Sequence, residues 1–413
     1  MIRGGLTVSG LLLWTLSSVV MAQEARLSGL LELAMTRHPT ILQARSQAQA
    51  AGYELDAAKW GRFPALSSEL RSDSTYSQSI AKLEQPLWAG GRIEGRIALG
   101  ESNLRAASDA LREAEHTALA QVASAFFESV RLQLRLQKAE ENIQEHSRLL
   151  EMIQRRIASQ VSPLADGILA QARLQQALTE KFQIQRQLET AFNTLVQWAG
   201  PVQESLVPPK RIAYVRFASV RLAVDQAIQV SAQRRKLLAQ VESAQAQIQL
   251  ARAQLMPTVV AGVQHILSGP MPFGMDRNRA YLGMQFTPGA GLSAASGVKS
   301  AQAKMEAAEQ DLQILERNLE SQISTLYGEI EVLQSQLNPA QLLSQETSEL
   351  VDSYLRQYQV GRKNWLDVLN AQREKTQALY NQIDVQNTLM LSQVRLLILT
   401  GQLDGQNNSL IHE

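Results

Sequence analysis

Five histidines are the obvious candidates for metal binding or acid–base work in this chain, and their placement suits neither. His38, His116, His146, His265 and His412 are scattered along the sequence, and none stands with Asp or Glu at a metal-ligand spacing. Two glycine clusters, Gly90-Gly91 and Gly289-Ala290-Gly291, could cradle a phosphate through backbone N–H groups. They lack the Lys-Ser/Thr and the βαβ frame that such a loop needs, so they read as turns that use glycine's backbone freedom. Arg234-Arg235-Lys236 reads as a solvated helix face, and a net charge of +1 gives no basis for holding nucleic acid. No cofactor or metal is implied. Without a reaction centre the chain is expected not to be an enzyme, and its elements must carry the function.

Those elements occur twice. Phe63-Pro64 matches Met256-Pro257, Leu87-Trp88-Ala89-Gly90-Gly91 matches Thr287-Pro288-Gly289-Ala290-Gly291, Gln160-Val161 matches Gln359-Val360, and Ala199-Gly200 matches Thr400-Gly401. The offsets stay near ~200 residues, the mark of an internal repeat. The first copy spans 23–200, with strands 64–72 and 79–88, a long helix 92–160 and a helix 164–199. The second spans 219–401, with strands 257–267 and 279–288, a long helix 293–359 and a helix 364–400. Residues 201–218 read as a linker and 402–413 as a tail. Helices 28–61 and 219–255 open the two copies.

The long helices keep helical time. Leu312, Leu315, Leu319, Ile323, Leu326, Ile330, Leu333 and Leu337 step by three and four, a stripe that packs helix on helix. At ~1.5 Å per residue each long helix would reach ~100 Å. In each copy the two shorter helices, stacked end to end, match the long one, which makes a wall of uniform height. Pro39 is expected to break the first short helix near its start, and Pro339 to kink or loosen the second long one.

The strand segments have the ~9–11-residue length of tilted membrane strands. Ala81, Leu83 and Leu87 would face lipid while Lys82 and Glu84 face water. Ala280, Leu282, Met284 and Phe286 likewise oppose Arg279, Tyr281, Gln285 and Thr287. The first strand alternates poorly. Lys82, Glu84, Arg279, Tyr281 and Gln285 would thus line a barrel lumen. Four strands cannot close alone, and known barrels start at about 8 strands, so two or three chains must pool theirs. The start of the chain fits export: Arg3, the apolar Leu11–Val20 and Val20-Met21-Ala22 read as a signal peptide over residues 1–22. There are no cysteines, hence no disulfides. A soluble periplasmic coiled-coil protein is the competing reading; it would need no alternating strands.

With these features assembled, the chain resembles the TolC family of bacterial outer-membrane channel proteins. The resemblance runs from Leu30-Leu31-Glu32-Leu33-Ala34 and Arg37-His38-Pro39 to Gly401. It includes Gln85-Pro86-Leu87-Trp88-Ala89-Gly90-Gly91-Arg92 and the run from Tyr358-Gln359-Val360-Gly361-Arg362-Lys363-Asn364-Trp365 through Gln372. It implies a mainly α fold with a membrane β-barrel contribution: a homotrimer with a 12-stranded barrel in outer-membrane lipid, above a long periplasmic α-helical barrel. Its partners would be a periplasmic adaptor and an inner-membrane ABC transporter or proton-driven pump. The tunnel end would be latched by Asp166, Tyr358 and Lys363 and narrowed at Asp367. Asn370 stands where the family has a second ring acid, leaving one negative charge per protomer there. Val161, Ser162, Pro163, Leu164, Val360, Gly361 and Arg362 would form the docking tips. The runs from Val161 to Asp166 and from Gly361 to Asn370 look most like the type I secretion branch, which includes the LapE-type partners of adhesin-exporting ABC transporters. Drug-efflux relatives share the architecture.

Overall fold

The computed structural model describes residues 25–72, 77–202, 205–213, 216–269, 276–287, 289–291, 293–403 and 411–412. The signal-peptide reading and the end of the fourth strand at Pro288 lie outside them. The first copy holds α1 (Leu27–Arg37), α2 (Pro39–Trp60), β1 (Ala65–Ser72), β2 (Ser77–Trp88), α3 (Arg92–Ala158) and α4 (Leu164–Ala199). After β3 (Arg211–Ile212), the second holds α5 (Val220–Val230), α6 (Ala232–Ala253), β4 (Thr258–Ser268), β5 (Asn278–Gln285), α7 (Ser293–Gln359) and α8 (Trp365–Leu399). A last short strand, β6 (Ile411–His412), pairs with β3.

Both opening helices are broken, although only one contains a proline. His38 turns the chain at φ −66° and ψ 130°, caps Thr40 N–H with its ring, and stacks on Trp198 at 4.5 Å. The expected single helix over 219–255 is two helices. Ser231 stands 193 residues after His38, adopts φ −59° and ψ 116°, and its hydroxyl accepts from Arg234 N–H. A serine cap does there what proline does in the first copy. Conversely, Pro339 does not interrupt α7, which runs unbroken from Ser293 to Gln359. Proline removes one ladder bond, while buried Leu333 and Ala340 hold both sides of it in the core stripe.

The helices form a layered wall. α2 covers the sheet-proximal half of α3, where the backbone of Leu55 lies against Gly100 and leaves a Cβ there only 3.1 Å. α4 covers the other half. On the opposite flank α6 and α8 repeat this stacking between α3 and α7. Arg235 reaches Asp109 at 2.9 Å, and Gln372 and Thr376 both donate to Asn142. Towards α7, Arg234 bonds Glu316 and Ser344 bonds Gln382, each at 2.6 Å. The order across the wall is therefore α2/α4, α3, α6/α8, α7.

The main core sits halfway along α3. Leu119, Val122, Phe126, Phe127 and Val130 pack there against α1 and the ends of α4 and α8. Each such side chain contributes roughly 1.5–3 kcal/mol on full burial. Leu206 and Ile212 of the expected linker, and Leu403 and Ile411 of the expected tail, are buried in the same cluster. Their described residues are thus packed onto the wall, where β3 and β6 pair.

Candidate functional site

The four-stranded sheet is antiparallel throughout, in the order β1-β2-β4-β5. Its register aligns Leu66 with Leu83, Leu83 with Val263 and Val263 with Ala280. Because side chains alternate along a strand, one face collects Leu66, Leu70, Leu83, Val263, Leu282 and Met284. All are exposed, Leu66 to 77% and Met284 to 74%. Four exposed aromatics, Trp60, Phe63, Trp88 and Phe286, stand at the end of the sheet that joins the helices. An apolar band edged by aromatic rings is the surface of a strand in lipid. β2, with 12 residues at ~3.3 Å each and a tilt near ~45°, spans about the thickness of such a band. Among the described residues no helix is long and apolar enough to cross a membrane.

The other face carries the expected lumen residues. Lys82 donates to Glu69 at 2.9 Å, and Arg71 binds the same carboxylate at 2.8 Å. The Tyr281 hydroxyl crosses β4 to donate to Glu84. It can do so only because Gly262 lies between them: a Cβ there would stand 2.5 Å from the phenol ring. Arg279 and Gln285 share this face, opposite Gln264 and Thr258. Glu69 was hidden in the poorly alternating first strand. Only the pairing of Ser67 with Lys82 reveals which face it takes.

At the far end of the wall the two helix hairpins turn side by side. α3 ends with Gln160 N–H bonding Ile157 O and Val161 N–H bonding Arg156 O. α7 ends with Gly361 N–H on Tyr358 O and Arg362 N–H on Gln357 O. Both are Schellman caps, which need a left-handed residue after the helix. Gly361 adopts it at φ 74°, whereas in the first copy a non-glycine, Gln160, does so at φ 59°.

Trp365 locks the turns together. It is 3% exposed, and its indole N–H donates to Asp166 O at 3.1 Å. Its ring lies 5.1 Å from that of Tyr358, which is buried with it. The Tyr358 and Ser162 hydroxyls share a hydrogen bond, and the Arg156 guanidinium sits over the Tyr358 ring. Lys363 lies over the Tyr354 ring at 4.2 Å and 3.9 Å from Asp367. Asp367 forms a capping box with Asn364 at the start of α8. Thus the chain brings Tyr358 to Ser162 and Lys363 to Asp367. Neither meets the Asp166 side chain, which makes no bond within the described chain. Asn370 is half-buried, while Val161, Pro163, Leu164, Val360, Gly361 and Arg362 are exposed. Trp365 lay in plain view within the tip motif, but only its buried packing discloses its part.

The family model described as "Outer membrane efflux protein" matches residues 30–201 and 223–402. No curated protein matches. Among solved structures, the fold is similar to the outer membrane protein VceC from Vibrio cholerae, with a TM-score of 0.77 and 17% identity, covering 91% of this chain and 96% of that one. A membrane protein from Pseudomonas aeruginosa matches with a TM-score of 0.77 and 18% identity over 91% and 92% of the two chains. The CmeC outer membrane channel of Campylobacter jejuni matches with a TM-score of 0.76 and 12% identity over 93% and 87%. The chain belongs to the outer membrane efflux protein family, as an outer-membrane protein whose helices extend into the periplasm.

Proposed function

We propose that three copies of this chain join edge to edge into a passive exit duct, with β1 of one copy pairing with β5 of the next. The observation that carries this is a sheet with an exposed apolar face and two unpaired edge strands, which lipid tolerates only in a closed barrel. The helical wall agrees with the sheet about where the edges lie. On the α2/α4 edge Tyr53, Ile168 and Phe182 are exposed, and on α7 Ile314, Val332, Leu342 and Leu343. Joined head to tail, the same operation covers both sets and closes barrel and tunnel together.

In this duct Asp166, Tyr358 and Lys363 latch neighbouring tips, Asp367 and Asn370 narrow the opening, and the exposed tip residues receive a periplasmic adaptor. Charge-assisted hydrogen bonds of ~1.5–3 kcal/mol each suit a latch that a partner must release. The partner does so by binding the open state more tightly. Cargo crosses without chemistry, driven by an inner-membrane transporter. We assign the duct to type I protein secretion, with an adhesin as cargo and an ABC transporter as engine. The support is the tip sequence from Gly361 to Asn370. Crosslinking in cells followed by co-purification tests this. Capture of an ABC transporter with its adaptor is expected; capture of a proton-driven pump would reassign the duct to small-molecule efflux. A monomer extracted without detergent would end the duct reading altogether.

A further inference from the structure

Between α4 and α8, floored by α3, lies a cleft of about 520 Å³ that the duct does not use. Its lining includes His146, Arg173, Glu180, Arg373 and Tyr380. Among the described residues, the buried side-chain atoms without a hydrogen-bond partner are Arg135 Nε, His146 Nδ1, Arg173 Nε and Tyr380 OH. Three of these belong to lining residues. The fourth is beside them, since the Arg135 guanidinium lies over the Tyr380 ring at 4.6 Å. His146 is 5% exposed and Tyr380 1%. Such atoms are rare in folded proteins because leaving them unpaired is costly.

The charge of the cleft says what would satisfy them. Arg173 and Arg373 bring two guanidinium groups, and neither forms an ion pair among the described residues; Arg173 donates only to the neutral Gln176 amide. Arg135 is already committed to Asp384 at 3.6 Å. One carboxyl group, Glu180, lines the cleft, and burial pushes its pKa up, against its ionised form. The His146 ring is uncharged at neutral pH, because burial and the neighbouring Arg173 lower its pKa to about 4. Water could fill the hydrogen bonds, but only an anion would also bring a counter-charge to the half-buried Arg173 and the exposed Arg373. A metal ion would face two guanidinium groups. A planar oxyanion matches the fork of an arginine and still leaves an oxygen for the phenol.

We propose that the α4–α8 cleft is a binding site for a small carboxylate, held by Arg173 and Arg373 with Tyr380 OH donating to it. Bound there, the anion ties together two helices that otherwise meet chiefly through α3. The test is thermal unfolding of the full chain in detergent, titrated with acetate or with inorganic phosphate against chloride at constant ionic strength. A saturable rise in Tm with acetate is expected. Arg173→Gln should weaken the apparent affinity for acetate by about tenfold or more. Tyr380→Phe should also weaken it, yet melt at or above the wild type without acetate, because it removes an unpaired hydroxyl. A Tm that ignores the identity of the anion, an unchanged acetate response in both variants, or saturation by phosphate but not acetate would overturn the proposal.

Discussion

The two hairpin tips share one backbone path and differ in nearly every residue that shapes it. The shared left-handed position aligns Gln160 with Gly361 rather than with Gln359, and at that offset of 201 Pro163 corresponds to Asn364 and Asp166 to Asp367. The second tip is stapled by its own residues: glycine takes the left-handed position, and Asn364 and Asp367 close a capping box. In the first tip Gln160 bears backbone strain, and Pro163 has no N–H with which to complete a box. Asp166 sits at the same helical position as Asp367, but its carboxylate makes no bond among the described residues. One tip is stapled by its own residues; under the proposed latch, the other offers its Asp166 carboxylate to a neighbour.

The largest effect should appear in conductance. Replacing Tyr358 with Phe and Asp166 with Ala together should make the isolated channel leak, raising single-channel conductance in planar bilayers severalfold. Unchanged conductance would reject the latch and erase the functional half of the contrast. Next comes Trp365→Ala, which empties the buried contact between the tips. A loss of about 3–5 kcal/mol is expected, visible as faster amide exchange at both turns. Faster exchange at the second turn alone would show that the tips fold separately.

The hairpins also differ higher up, where buried His146 in α3 corresponds to buried Thr347 in α7. The Thr347 hydroxyl bonds its own helix, whereas His146 Nδ1 has no partner among the described residues. The folded pKa of His146, about 4, lies below the 6.5 of an unfolded histidine. Between these values the unfolded chain binds a proton that the native chain refuses. Stability should therefore fall as pH drops from about 6.5 to about 4, by on the order of 3 kcal/mol. His146→Thr should flatten that part of the pH profile in thermal melts.

Two smaller effects sharpen the local comparison. Asn364→Ala should cost about 1 kcal/mol through the lost capping box, while Asp166→Asn should stay within ~0.5 kcal/mol. Equal losses in denaturant unfolding would mean that Asp166 is engaged after all. Gln160→Gly should raise stability by less than about 1 kcal/mol, as relief of the left-handed strain outweighs the added freedom of the unfolded chain. Gly361→Gln should do the reverse.

Much of the architecture was legible because local chemistry repeats. The two long apolar stripes, the glycine turns and the alternation of Lys82 and Glu84 with Leu83 each report a preference that acts over a few residues. Where the reading failed, distant contacts overrode such a preference. Pro339 was expected to kink or loosen α7, yet the helix runs through it without interruption, its flanking residues held by the core. Ser231 broke a helix that lacks proline, although the repeat offset from His38 could have announced it. Leu206 and Ile411 looked like connector and tail because nothing local says that they meet in one core.

By itself, the amino-acid order determined the duplicated unit, the lengths of its two long helices and the presence of strands with one oily side, since these follow from periodicity. Only the tertiary structure decided that Glu69 joins Lys82, that Gly262 makes room for Tyr281, and that Trp365 binds the two tips. It alone gathered the unpaired atoms of His146, Arg173 and Tyr380 around one cleft. Such meetings depend on strand register and helix stacking between residues up to about 200 positions apart, and no local rule of sequence encodes them.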